Sequence, residues 1–155
     1  MTRVLVPLLA VAFLVGCDTT ETAKRQPPKT VSHGRFIYLA NRACRVAIHE
    51  MNAIKVPPAG QTLDPAARAF EKAYERLLAT LHGLAPPPSQ ADTYRRMLDT
   101  ATAQKLAFAK LFDAFAVAGR HVRAENALGR RADKLGAKAN RLSERLGLTV
   151  CAKPW

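Results

Sequence analysis

Residues 128–146 read LGRRADKLGAKANRLSERL, and the spacing of their apolar members decides the fold. Leu128, Ala132, Leu135, Ala139, Leu142 and Leu146 recur at alternating steps of four and three. That is the interval at which side chains return to one face of an α-helix. Such a stripe is buried only against other helices, so it reads as the seam of a bundle. Gly147 follows at once, where a glycine commonly closes a helix.

Three more helical segments precede this one. The nearest is expected to start from Ser89 as its cap, with Asp92 favouring the first turn. Its stripe runs through Tyr94, Leu98, Ala101, Phe108, Leu111 with Phe112, and Phe115, and Gly119 is the break. Before it, Asp64-Pro65 supplies a cap acceptor followed by proline at the first helical position. Phe70, Ala73 with Tyr74, Leu77, Leu81 and Leu84 form that segment's apolar side, and Pro86-Pro87-Pro88 ends it. The first segment begins at Arg35 and carries Ile37, Ala40, Cys44, Ala47 with Ile48, Met51 and Ile54. VPPAG at residues 56–60 stops it, because proline lacks an amide proton and restricts its predecessor. No stretch alternates apolar and polar residues as a strand would. The expectation is an all-α domain over residues 35–155, an antiparallel bundle of four helices. If the chain stays helical through Gly119, the last two segments fuse and the bundle has three arms.

Ahead of the domain the sequence changes character twice. Residues 4–16, VLVPLLAVAFLVG, form an apolar run of 13 behind Arg3. A membrane-spanning helix needs roughly 20 such residues, whereas the core of a secretory signal needs about 7–15. Leu14-Val15-Gly16-Cys17 match the lipobox of bacterial prolipoproteins, which are cut before the cysteine and lipidated on its thiol. Residues 1–16 are thus expected to be a signal peptide and Cys17 the lipid-bearing first residue, on the extracytoplasmic face of the cell membrane. The alternative is an ordinary secreted protein with a chance cysteine. Each buried methylene is worth about 0.8 kcal/mol, so two or more chains on Cys17 anchor stably where one does not. Asp18 resembles the signal that keeps lipoproteins at the inner membrane of enteric-type cells. Residues 17–34 read as a polar, proline-containing tether reaching roughly 20–24 Å on average.

Assigning Cys17 to lipid leaves Cys44 and Cys151, an even pair in an exported domain, where disulfides form and persist. Bridged, they would pin the C-terminal tail across the first helix. The competing reading, a thiol redox site, lacks a C-x-x-C. ANRAC in the first helix, the turns VPPAG and LAPPPS, the alanine- and arginine-rich helices and the closing LGLTVC together resemble small lipoproteins of high-GC, actinobacterial genomes. The resemblance covers residues 36–151. It implies a helical extracytoplasmic domain with the same bridge, and it carries over no catalytic residue.

Chemistry is sparse. His33, His49, His82 and His121 form no H-E-x-x-H, C-x-x-C-H or Glu-x-x-His, so zinc, haem and di-iron readings lack their spacing. There is no G-x-S-x-G, Walker loop or G-x-G-x-x-G. Glu71 with Glu75 is an ordinary surface pair. Neither a cofactor nor a metal is expected, and the chain is not expected to be an enzyme.

Charge is the remaining signal. The formal net charge is +12 and Arg3 holds the only charge in residues 1–16, so the rest keeps +11. Residues 120–155 hold nine Lys or Arg against three Asp or Glu, a net of +6. Arg131, Lys134, Lys138, Arg141 and Arg145 recur at three- and four-residue steps and share one helix face. Two readings are open for this stripe: a patch for acidic lipid, anionic wall polymer or an envelope protein, and a solvated outer face in an arginine-rich chain. Nucleic acid is not expected as a partner, since no aromatic residues interleave with the patch. The functional expectation is a non-enzymatic binding or scaffolding module of the cell envelope; the alternative is a carrier of a small ligand or metal inside the bundle.

Overall fold

The computed structural model describes residues 32–58, 62–116 and 122–153. Among the described residues there are four α-helices: α1 (His33–Asn52), α2 (Asp64–His82), α3 (Ala91–Ala116) and α4 (Val122–Arg145). There is no strand among the described residues. Each helix packs on the next in sequence, and the pairings run antiparallel. Tyr74 and Leu81 of α2 bond to Gln104 and Tyr94 of α3, while Met97 and Gln104 of α3 meet Ser143 and Gly136 of α4. The expected helical bundle is the observed one, and it has four arms. The segments expected to be a signal peptide and a tether, with Cys17, lie outside the described residues up to residue 31, as do Gly119 and His121.

Helix boundaries depart from the expected ones where local hydrogen bonds outvote the apolar period. Ser32 caps α1: its hydroxyl accepts from the Arg35 amide at 3.4 Å and its carbonyl from the Phe36 amide at 2.9 Å. His33 and Gly34, expected in the tether, are therefore helical. At the start of α2 the N-cap position falls on Leu63, with no side-chain cap hydrogen bond, and Asp64 is the first helical residue and not the cap. Just outside the helix Thr62 Oγ1 accepts from the Asp64 amide at 3.2 Å. Ser89 is not the cap of α3; it sits inside a 3-10 turn, Pro88–Gln90, that leads into the helix. Asp92 lies in the first turn of α3 as expected, where its charge suits the helix dipole.

The C-terminal end of α4 organises the molecule. Gly147 adopts φ +75°, the left-handed conformation that side chains resist. Its amide donates to the Glu144 carbonyl at 2.9 Å, and the Leu148 amide donates to the Ser143 carbonyl at 2.9 Å. This is a Schellman closure, which satisfies the orphan carbonyls of the last turn. It also reverses the chain so that the tail runs back across α1. Leu148 is fully buried there, the Val150 amide donates to Asn41 Oδ1 at 2.9 Å, and Cys44 and Cys151 form a disulfide.

The core gathers around that tail. Phe36, Ala40, Cys44 and Ala47 of α1, Leu77 and Leu81 of α2, Tyr94, Met97 and Leu98 of α3, and Leu142 and Leu146 of α4 close on Leu148 and Cys151. Phe36 meets Tyr94 edge to face with ring centroids 5.0 Å apart, a favoured aromatic geometry. The buried Tyr94 hydroxyl donates to the Leu81 carbonyl at 2.7 Å. The core, the disulfide and the Schellman turn all lie within residues 36–151. At the other end the packing is looser. Phe70, Phe108 and Phe112 pack edge to face at 5.1 and 5.7 Å, but all three are only half-buried. Among the described residues α1 and α4 make no close backbone contact. The tail bridges them at the core end, and a cleft separates them further along.

Candidate functional site

The five basic residues of α4 are all exposed, on the side of the helix next to its buried seam. The structure divides them. Lys138, Arg141 and Arg145 line a furrow of about 450 Å³ between α4 and the start of α3. Arg131 and Lys134 continue the same face outside it. Arg96 of α3 lines the furrow as a fourth cation, with Asp99 the one carboxylate beside them among the described residues. Arg96 has no place in the helix-four stripe and is reached only through the antiparallel register, which sets residue 97 against residue 143.

None of these basic side chains makes an ion pair among the described residues, whereas cations elsewhere do: Arg76 with Glu50 at 2.8 Å and Lys105 with Glu75 at 2.6 Å. The Lys105 hydrogen bond and charge hold the Glu75 carboxyl below its ordinary range. Arg145 sits in the last turn of α4, where its charge also favours the helix C-terminus. No such local reason exists for Lys138, Arg141 or Arg96. The furrow lies at the core end of the bundle, the end at which α1 begins. Arg96 is two residues from Tyr94, which packs on Phe36, and Arg145 is two residues from Gly147, which lies against Ile37. Arg35 is exposed in the first turn of α1, adding another cation at this end.

A second concavity, of about 450 Å³, opens between α1 and α4 and shares no lining residue with the furrow. Its floor is a buried polar pair, in which the Tyr74 hydroxyl donates to Gln104 Oε1 at 2.9 Å. Burial pushes the Tyr74 phenol well above its ordinary pKa, so it stays a donor across the physiological range. Gly136 faces this pair. A Cβ there would sit 2.5 Å from Gln104 Nε2, so any larger residue would require the glutamine side chain to shift.

His33 and His82 are the first residue of α1 and the last of α2, and His49 lies in the last turn of α1; all three are exposed. No group of three His, Cys, Asp or Glu among the described residues could hold a metal ion. No described helix is long and apolar enough to cross a membrane. Compared with known proteins, the chain matches no family model, no curated protein and no solved structure.

Proposed function

We propose that this chain is a lipid-anchored protein of the outer face of a bacterial membrane, and that its helical domain acts by binding, holding a basic face against an anionic surface. The observation that carries the reading is the position of the furrow. Four cations that make no ion pair among the described residues converge at the end of the bundle where α1 begins. A flexible linker of about fifteen residues spans roughly 20 Å, so a tether of that kind between Cys17 and α1 would keep that end within reach of headgroups or wall polymer. The lipobox-like Leu14-Val15-Gly16-Cys17 supports the anchor. So does the Cys44–Cys151 bridge, a kind of bond that persists outside the reducing cytosol. The likeness to small actinobacterial lipoproteins points the same way. In a two-membrane cell, Asp18 would hold the protein at the inner membrane.

Each Lys or Arg close to an anionic membrane contributes about 1 kcal/mol, and this falls off within a Debye length. Reversing Arg96, Lys138 and Arg141 to glutamate should therefore weaken binding of residues 18–155 to phosphatidylglycerol-containing vesicles by more than about 100-fold. Co-sedimentation at low and physiological salt measures this, with isolated cell wall as the second arm. Preference for the wall names the polymer as the surface. Equal binding by wild type and the reversed protein in both arms removes the furrow from the function.

A further inference from the structure

The basic furrow between α3 and α4 has features that a plain charged face lacks. We infer that it is a discrete site for a compact, multiply charged phosphate, a terminal phosphomonoester or a diphosphate, in preference to a singly charged phosphodiester. This rests on the reading of the furrow as the anion-binding part of the molecule, and it names the group the furrow takes.

Charge is the first ground. Arg96, Lys138, Arg141 and Arg145 against Asp99 leave a net of +3 among the described residues that line one concavity of about 450 Å³. A diester phosphate brings a single negative charge and leaves most of that unanswered. A phosphomonoester brings about −1.5 to −2 near neutral pH, and a diphosphate brings more, each in one compact group. None of the four cations makes an ion pair among the described residues. The Arg96 guanidinium donates to Thr93 Oγ1 at 3.4 Å, a long bond that a charged acceptor outcompetes.

Donor type is the second. Three of the four cations are arginines, whose planar forks match phosphate oxygens two at a time, while the lysine adds a point charge. A phosphomonoester presents three acceptor oxygens to such forks, one more than a diester has free. Placement is the third. Arg96 lines the furrow from α3 and Lys138, Arg141 and Arg145 line it from α4, so a ligand meets cations on both walls. The walls are set against each other where the Ser143 hydroxyl donates to Met97 Sδ at 3.2 Å. The buried Thr100 and Leu142 lie between them as an uncharged floor. The Thr100 hydroxyl is turned to the Arg96 carbonyl at 2.7 Å, so it leaves the binding to the cations. Charges beside such a floor are screened less than charges on an open face. Donors carried on helices already fixed in place also lose less freedom when they bind.

Residues 18–155, which contain every described element and the disulfide, are titrated at neutral pH and fixed ionic strength with pyrophosphate, inorganic phosphate and dimethyl phosphate. The arginine Nε–H signals are followed by NMR. Affinity should fall in that order, with pyrophosphate at least about 10-fold tighter than dimethyl phosphate. Arg96→Gln and Arg141→Gln, exposed and on opposite walls, should each weaken pyrophosphate about 5-fold or more. Arg131→Gln, on the same face of α4 but outside the furrow, should change it by less than about 2-fold. A second arm compares phosphatidylcholine vesicles carrying phosphatidic acid with vesicles carrying phosphatidylglycerol at equal surface potential. Tighter binding to phosphatidic acid, lost in Arg96→Gln, names a lipid headgroup as the source. The soluble order without a vesicle preference names a free phosphate compound. Dimethyl phosphate binding as tightly as pyrophosphate would overturn the inference, as would equal effects of Arg131→Gln and Arg96→Gln, or no binding of any soluble probe. If vesicle binding still depended on the furrow in such a case, the anion-binding face would stand without the site; if it did not, both would fall.

Discussion

Removing the bridge between Cys44 and Cys151 tests how the bundle is held shut. The bond joins residues 107 apart in sequence, so it constrains nearly the whole folded domain in the unfolded chain. The chain-entropy relation gives about 4.8 kcal/mol at 25 °C for a loop of that length. A domain of this size is stable by roughly 6–18 kcal/mol at 0.05–0.15 kcal/mol per residue, so the bond carries a large share. The folded tail has other holds: Leu148 is buried, Asn41 accepts from the Val150 amide, and Gly147 closes α4. The Cys44→Ala, Cys151→Ala protein should therefore still fold, with nearly unchanged helicity by circular dichroism. Its unfolding free energy in urea should be about 4–5 kcal/mol below that of oxidised wild type. Reduced wild type and the double variant should agree within about 1 kcal/mol. A loss below about 1 kcal/mol in both would refute the reasoning, since the tail would then be constrained without the bond.

Gly147→Ala should cost about 1–2 kcal/mol for the left-handed backbone, and its Cβ would also press on Ile37 Cδ1 at 2.8 Å; chemical denaturation measures it, and a neutral result would mean the turn relaxes freely. Tyr74→Phe removes the donor to Gln104 Oε1 and strands a buried amide, so a loss of about 1–3 kcal/mol is expected in the same assay. Glu75 titrates below its ordinary value because Lys105 donates to it. The stability it contributes is present above the ordinary carboxylate range and is lost as pH falls through the depressed folded value. Lys105→Gln should accordingly narrow its gap to wild type on acidification, and a gap constant with pH would deny the coupling.

Much of the fold is legible in residue spacing because the core end obeys the helical period. Ala40, Cys44 and Ala47, Leu77 and Leu81, and Leu142 and Leu146 all lie where the stripes put them. Phe36 escapes that reading because α1 starts before the apolar period does, on the Ser32 cap. Met97 and Gln104 escape for another reason. The seam of α3 rotates toward α4, leaving Phe115 at 43% exposure and burying a glutamine whose partner, Tyr74, is 30 residues away. A polar residue in a buried seam looks like surface until its partner is known. The basic stripe of α4 could be read from its steps, but Arg96 could not, because only the helix register joins it to Lys138 and Arg141. The cleft was equally hidden. It arises from the gap between α1 and α4, helices at opposite ends of the sequence that the C-terminal tail holds together at one end only.

The proposal as a whole turns on Cys17, and the intact mass of the full-length protein extracted from the membranes of a lipoprotein-processing bacterium tests it most directly. The account predicts a chain that begins at Cys17, heavier than the peptide by a diacylglyceryl group and in many hosts a further acyl chain, with Cys44 and Cys151 still bridged. A Cys17→Ala chain should lose this mass and leave the membrane fraction. A wild-type chain that retains residues 1–16, or that begins after them with an unmodified cysteine and is recovered in the soluble fraction, would contradict it.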